Sequence, residues 1–170
     1  MERRPLSLGG IFRAGMRGYF IPLAAGVVLT ISAFLPWVIV DGVVRKGISD
    51  VTGLWIAGLG ALAAALAVLS LITRKNSRHP LLVVGLAAFG IMFLAWRVLP
   101  RLVGEQALTV SQAIAIVDNT PPGAPPTTLV GIGIYVGLVA AATLVGFGLT
   151  IVVKRAAKPY VIAEPDDDVP

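Results

Sequence analysis

The chain has no cysteine, a single histidine and few charges. The first absence excludes disulfides, thiolate nucleophiles and cysteine-based metal sites. The histidine, His79, stands beside Pro80 in a short basic stretch. No second histidine or nearby carboxylate in the sequence accompanies it, so it reads as a surface residue and not a metal ligand. Charged residues make up 14% of the chain, against about 25% in a typical soluble domain. They are also missing from particular places. Four long apolar runs contain no Asp, Glu, Lys or His, and Arg97 is their only charge. Proton relays, gating-charge helices and carboxylate ion sites need such groups. Thr30, Ser32 and Ser70 are isolated hydroxyls with no base near them in sequence. No phosphate loop or paired-carboxylate motif occurs, and Gly131-x-Gly133 lies inside an apolar run, where it serves packing. The sequence therefore carries no catalytic, cofactor-binding or metal site, and the expectation is a protein that is not an enzyme and needs no cofactor.

What is present is apolar. The 170 residues are 56% hydrophobic, with a mean hydropathy of +0.88. One domain of that length with that composition is expected to be a multi-span membrane protein. The net charge of +5 does not point to nucleic acid. The basic residues form no single patch with interleaved aromatics; they sit in small groups beside the apolar runs, as topology signals do. Arginine outnumbers lysine ten to four, in keeping with a GC-rich bacterial genome.

The stretch that orders the rest is Leu71–Leu82, a basic polar turn between two runs long enough to cross a bilayer. Counting outwards from it gives four spans, at about 19–37, 54–72, 81–99 and 128–153, with Pro36 marking the exit of the first. Residues 1–18 are a basic leader, read either as an interfacial amphipathic helix or as a disordered segment; the first span then acts as a retained signal anchor. Ser77 is the expected cap of the third helix, with Pro80 in its first turn. Residues 154–170 form a tail with an acidic end, expected to be disordered. Ten basic residues then fall on one side: four in the leader, three in the turn and three in the tail. Only Arg45, Lys46, Arg97 and Arg101 fall on the other. The positive-inside rule places both termini in the cytoplasm. Trp37, Trp55 and Trp96 all fall at outer span ends, as an interfacial belt would place them.

The spans carry rows of small residues that let helices approach closely. In the second span these are Gly53, Ala57, Ala61 and Ala65, with Gly60 and Ala64 as a second row; in the fourth they are Gly133, Gly137 and Ala141. The rows serve either packing within the bundle or contact with another subunit. Arg97, about two residues from its span's end, either snorkels to the interface or contacts an ion or headgroup.

The outer segments have their own signals. Asp41-Gly42 between β-branched runs predicts a hairpin over 37–47, resting on the bundle or pairing with the second outer loop. Asp50 is the expected cap of the second helix. In the long outer loop 101–127, residues 107–117 suit either a short helix or a strand, and the proline-rich 118–126 an extended connector.

The succession Leu35-Pro36-Trp37, a β-like segment with Gly42 and Gly47, Gly53-Leu54, a basic turn, and Gly131-x-Gly133-x-Tyr135 opening the last run resembles small uncharacterised four-span membrane proteins of bacteria, particularly actinobacteria. That resemblance implies a multi-pass protein of the cytoplasmic membrane and no known activity. Trp37 with Gly53-Leu54-Trp55 is similar to the claudin signature, but its two cysteines are missing. The expected fold is an all-α membrane protein: an antiparallel four-helix transmembrane bundle with a small outer hairpin-and-loop cap. Its expected partners are the lipid bilayer and another membrane protein or a second copy. The expected role is that of a structural or accessory subunit, or else a pore or carrier for a small neutral or lipidic solute.

Overall fold

A computed structural model describes residues 17–73, 78–121 and 124–156. The readings of the leader up to residue 16, of 74–77 including the Ser77 cap, and of the tail from 157 lie outside them. Four α-helices and a three-stranded antiparallel sheet form the described part: α1 (Phe20–Ser32), β1 (Pro36–Val40), β2 (Val43–Lys46), α2 (Val51–Thr73), α3 (Arg78–Val117), β3 (Thr128–Val130) and α4 (Ile132–Ala156). The helices α2, α3 and α4 are each long and apolar enough to cross a membrane; α1 is apolar but shorter.

Each helix packs on the next in sequence, and α4 returns to α1, which closes a ring. The contacts run antiparallel. Gly26 of α1 faces Ala64 of α2 and Thr30 faces Gly60, while Gly85 of α3 faces Leu144 of α4 and Gly148 faces Leu82. Leu29, Ile56, Leu81, Met92, Ile134 and Leu144 fill the middle of the ring and are fully buried. The face between α2 and α3 is the least extensive of the four.

The sheet covers one end of the ring, here the cap end. Asp41 and Gly42 both have positive φ, at 48° and 82°, the backbone that a two-residue hairpin turn demands. The turn sets the register Val40 opposite Val43 and Ile39 opposite Val44. A register shift between Pro36 and Val38 breaks the strand alternation, so Trp37 and Val38 both face inward and both are buried. The hairpin does pair with the second loop. Val38, Ile39 and Val40 take Val130, Leu129 and Thr128 as partners, making β1 the central strand. Asp41 secures this join: its backbone N–H donates to the Thr127 carbonyl at 3.1 Å, and its carboxylate accepts from the Thr127 N–H at 2.8 Å and from the Thr127 hydroxyl at 3.2 Å.

Three element boundaries depart from the sequence reading. The first helix ends at Ser32 and not near residue 37. Helical geometry is disfavoured for a residue before proline, and Leu35 precedes Pro36. The fourth helix begins at Ile132 and not at Thr128. Residues 128–130 go instead to the open edge of β1, where the backbone groups of β-branched Thr128 and Val130 find partners.

The third helix departs most. It does not stop at Leu99 but continues through Pro100 to Val117, a run of 40 residues. The loop expected over 101–127 is therefore helical for more than half its length. A proline inside a helix removes one backbone bond and crowds the carbonyl four residues back, here that of Trp96. The residues after it favour helix, since Glu105, Gln106, Ala107, Leu108, Gln112, Ala113 and Ala115 are mostly good formers. The extension also buries Val103 and packs on β1 and β3. Its end is sharply defined. Asn119 takes positive φ at 52°, and the N–H groups of Asn119 and Thr120 bond the carbonyls of Ile116 and Ala115. That pair of bonds is a Schellman ending, in which asparagine substitutes for the usual glycine.

Candidate functional site: the cap and the groove beside it

Trp37 anchors the cap. It is 1% exposed, and its indole N–H donates to the Ser32 carbonyl at 2.9 Å. Gly47 and Gly133 press against its ring, too close to admit a side chain at either position. The Gly131 N–H donates to the Trp37 carbonyl at 2.7 Å, so strand and α4 meet over the same residue. Trp37 is thus no member of an interfacial belt, a correction to the sequence reading: the bulge turns its side chain into the core. Trp55 and Trp96 do lie on the outside of α2 and α3.

Asp50 opens α2 as expected. Its carbonyl accepts from the N–H groups of Gly53 and Leu54, and its carboxylate accepts from the Val51 N–H at 3.0 Å.

The small residues separate into those inside the ring and those outside. Gly53 packs on the backbone of Gly47. Gly60 is buried, and Ala57 and Ala64 are half-buried, on the side of α2 that meets α1. Ala61 and Ala65 are exposed. On α4, Gly133 lies under Leu35 and Trp37, Gly137 lies between Ser32 and Met92, and Ala141 is fully buried. That row faces the inside of the ring. Gly26 of α1, not singled out in the sequence, is the partner of the α2 row: a methyl group placed on it would stand 2.7 Å from the Ala64 nitrogen. A lone glycine mid-helix was its only signal.

The hydroxyls are engaged by backbone carbonyls, mainly of their own helices, and Thr30 also donates to the Ala57 carbonyl of α2 at 3.5 Å. Ser32 donates to the Leu29 carbonyl at 2.6 Å, Ser70 to the Leu66 carbonyl at 2.9 Å, and Thr30 to the Gly26 carbonyl at 3.0 Å. Such bonds hold a hydroxyl against its own helix and bring no base to it. Among the described residues no three of His, Asp or Glu gather in a way that would hold a metal ion.

Two of the hollows among the described residues lie along α3 and meet at one residue. One is an apolar cleft of about 330 Å³ between Thr52 of α2 and the stretch of α3 from Ile91 to Leu102. The other, about 770 Å³, is lined by Arg45 of β2 and by α3 from Leu102 to Ile114, including Glu105, Gln106 and Thr109. Leu102 belongs to both. Arg97 is exposed on α3, one helical turn before Arg101. Farther along, Val110, Ile114, Ile116 and Val117 are exposed, the last two by 80% or more.

The fold and these sites define a small helical protein with three potential membrane helices and a β-capped end. Comparison of the chain with protein-family models, curated proteins and solved structures finds no match.

Proposed function

We propose that the chain is a four-span protein of a bacterial cytoplasmic membrane, with both termini in the cytoplasm and the cap outside. It acts there without catalysis, as a structural or accessory subunit of a membrane assembly. The observation that most supports this reading is the cap-end half of α3. At about 1.5 Å per residue the 40 residues of α3 run about 60 Å, twice a hydrocarbon core of roughly 30 Å. Residues 101–117 then stand beyond the bilayer, where Val110, Ile114 and Val117, four and three residues apart on one helix face, present exposed apolar surface. Grouped apolar side chains facing water mark contact surfaces. The first span is short: the 13 residues of α1 cover about 20 Å of a roughly 30 Å core. The 3-10 turn Arg17–Tyr19 before it and Ala33–Leu35 after it complete the crossing.

The test is a photo-crosslinking residue at Val117, in chain expressed in a bacterial host of its own type, followed by gentle extraction and native mass measurement. A stoichiometric adduct to one other membrane protein, lost when the crosslinker is moved to the exposed Ala65 of α2, is the expected result. A chain that remains single under these conditions overturns the accessory reading. The apolar cleft between α2 and α3 favours a second reading, a carrier for a lipidic solute. The filled centre of the ring, with Leu29, Ile56, Met92 and Ile134 fully buried, argues against a water-filled pore.

A further inference from the structure

The two hollows on α3 change character at one level. Below Leu102 the lining is apolar apart from Thr52, with Ile91, Leu94 and Val98 on the α3 side. Above Leu102 the lining is mixed: Arg45, Glu105, Gln106, Thr109 and Ser111 stand among Ala107, Val110 and Ile114. On the membrane placement proposed above, on which this inference rests, the third span ends near Pro100. Glu105 then stands about 8 Å above the hydrocarbon edge, within the headgroup layer. The groove formed by the two hollows, which share Leu102, is therefore apolar at acyl-chain depth and carries charge only at headgroup depth. Its polar part holds one charge of each sign, on Arg45 and Glu105, and among the described residues no ion pair engages either.

We propose that this groove seats one zwitterionic phospholipid of the outer leaflet. The acyl chain lies in the α2/α3 cleft, the phosphate meets the Arg45 guanidinium, and the ammonium meets the Glu105 carboxylate. Guanidinium matches phosphate oxygens in a forked, charge-assisted geometry. Glu105 selects the headgroup. An anionic headgroup without an ammonium leaves that carboxylate beside a phosphate, whereas a zwitterionic one pairs both charges. The limited contact between α2 and α3 gives the chain its lateral way in from the bilayer. Arg45 comes from the hairpin, so the bound lipid also ties the cap to α3.

The test uses the full chain in maltoside detergent, with phosphatidylethanolamine and phosphatidylglycerol of matched chains at equal concentration. Lipid retention is read by native mass spectrometry. One phosphatidylethanolamine per chain is expected. Val98→Trp, at an exposed position inside the cleft, fills it and lowers retention about tenfold with an unchanged melting temperature. Leu94→Trp does the same from a second exposed position, should Val98→Trp disturb folding. Glu105→Gln removes the preference for phosphatidylethanolamine, and Arg45→Ala weakens both lipids. Undiminished retention in a folded cleft-filled variant overturns the proposal, as does a wild-type preference for phosphatidylglycerol. Alkaline carbonate separates the two levels. Release of the chain from membranes overturns the membrane placement and the lipid seat together. A chain that resists carbonate but keeps no lipid overturns the seat alone.

Discussion

At the residue scale, space decides which glycines matter. A methyl on Gly26 would lie 2.7 Å from the Ala64 nitrogen and 2.9 Å from the Gly60 carbonyl, whereas Gly58 has nothing within 4 Å of the same position. Gly26→Val is therefore expected to force α1 from α2 and to cost about 1–3 kcal/mol by overpacking. Gly58→Ala is expected to leave stability unchanged or raise it by up to about 1 kcal/mol through helix propensity. Thermal unfolding of the two variants in one detergent checks the pair, and equal melting temperatures would remove the role given to the seam. Trp37 makes a second residue-scale case. Trp37→Phe keeps most of the volume but loses the bond to the Ser32 carbonyl, for about 1 kcal/mol. Trp37→Ala opens a cavity under the whole cap and is expected to cost about 3–5 kcal/mol. A cost for Trp37→Phe as large as for Trp37→Ala would show that the indole bond, and not packing, dominates there.

The elements depend on one another more than their sequences suggest. The hairpin β1–β2 is a strong local signal, but two strands alone are marginal. Its stability comes from β3, reached across the Asp41–Thr127 join, and from α3 behind it. The extension of α3 past Pro100 is the element on which the cap leans. Ala107→Pro would remove the bond to the Val103 carbonyl in mid-extension, at a cost of about 3 kcal/mol. The expected result is a cap that opens while the rest of the ring holds. Trypsin then cuts at Arg45, Lys46 and Arg101 in the variant faster than in the wild type. Uniform resistance in both would mean that the cap stands without the extension.

At the scale of the whole molecule, the prediction is topological. A reporter active only outside the cytoplasmic membrane should work when fused after Gly47 or Ala124, both at the cap end, and fail after Asn76. The reverse pattern would invert the layout and with it the depth of every residue in the α3 groove. Failure of the Gly47 fusion alone would instead mean that the short α1 does not cross without the helices that follow it. The Val117 crosslink belongs to this scale too, since the exposed apolar end of α3 has meaning only as a surface against something else.

Much of this molecule was legible in its sequence because the signals are local. Four apolar runs, a basic break at 71–82, Asp41-Gly42 at a turn and Asp50 before a helix each act within a few residues, through solvation, positive φ and capping. The small-residue row of α4 was legible as well, though not what it would touch. Other features were decided only by tertiary structure, where the partner is distant in sequence. Pro100 reads locally as a stop, yet α3 continues because its next turns bury Val103 and pack on the sheet. Thr128–Val130 reads as helix, yet it becomes a strand because β1 offers an open edge. Trp37 reads as an interfacial anchor, yet a one-residue bulge turns it into the core. The groove joining Arg45 to Glu105 lay beyond the sequence for the same reason. Sixty residues separate the two in the chain, and only the hairpin folded beside a long α3 brings both to the lining of one hollow.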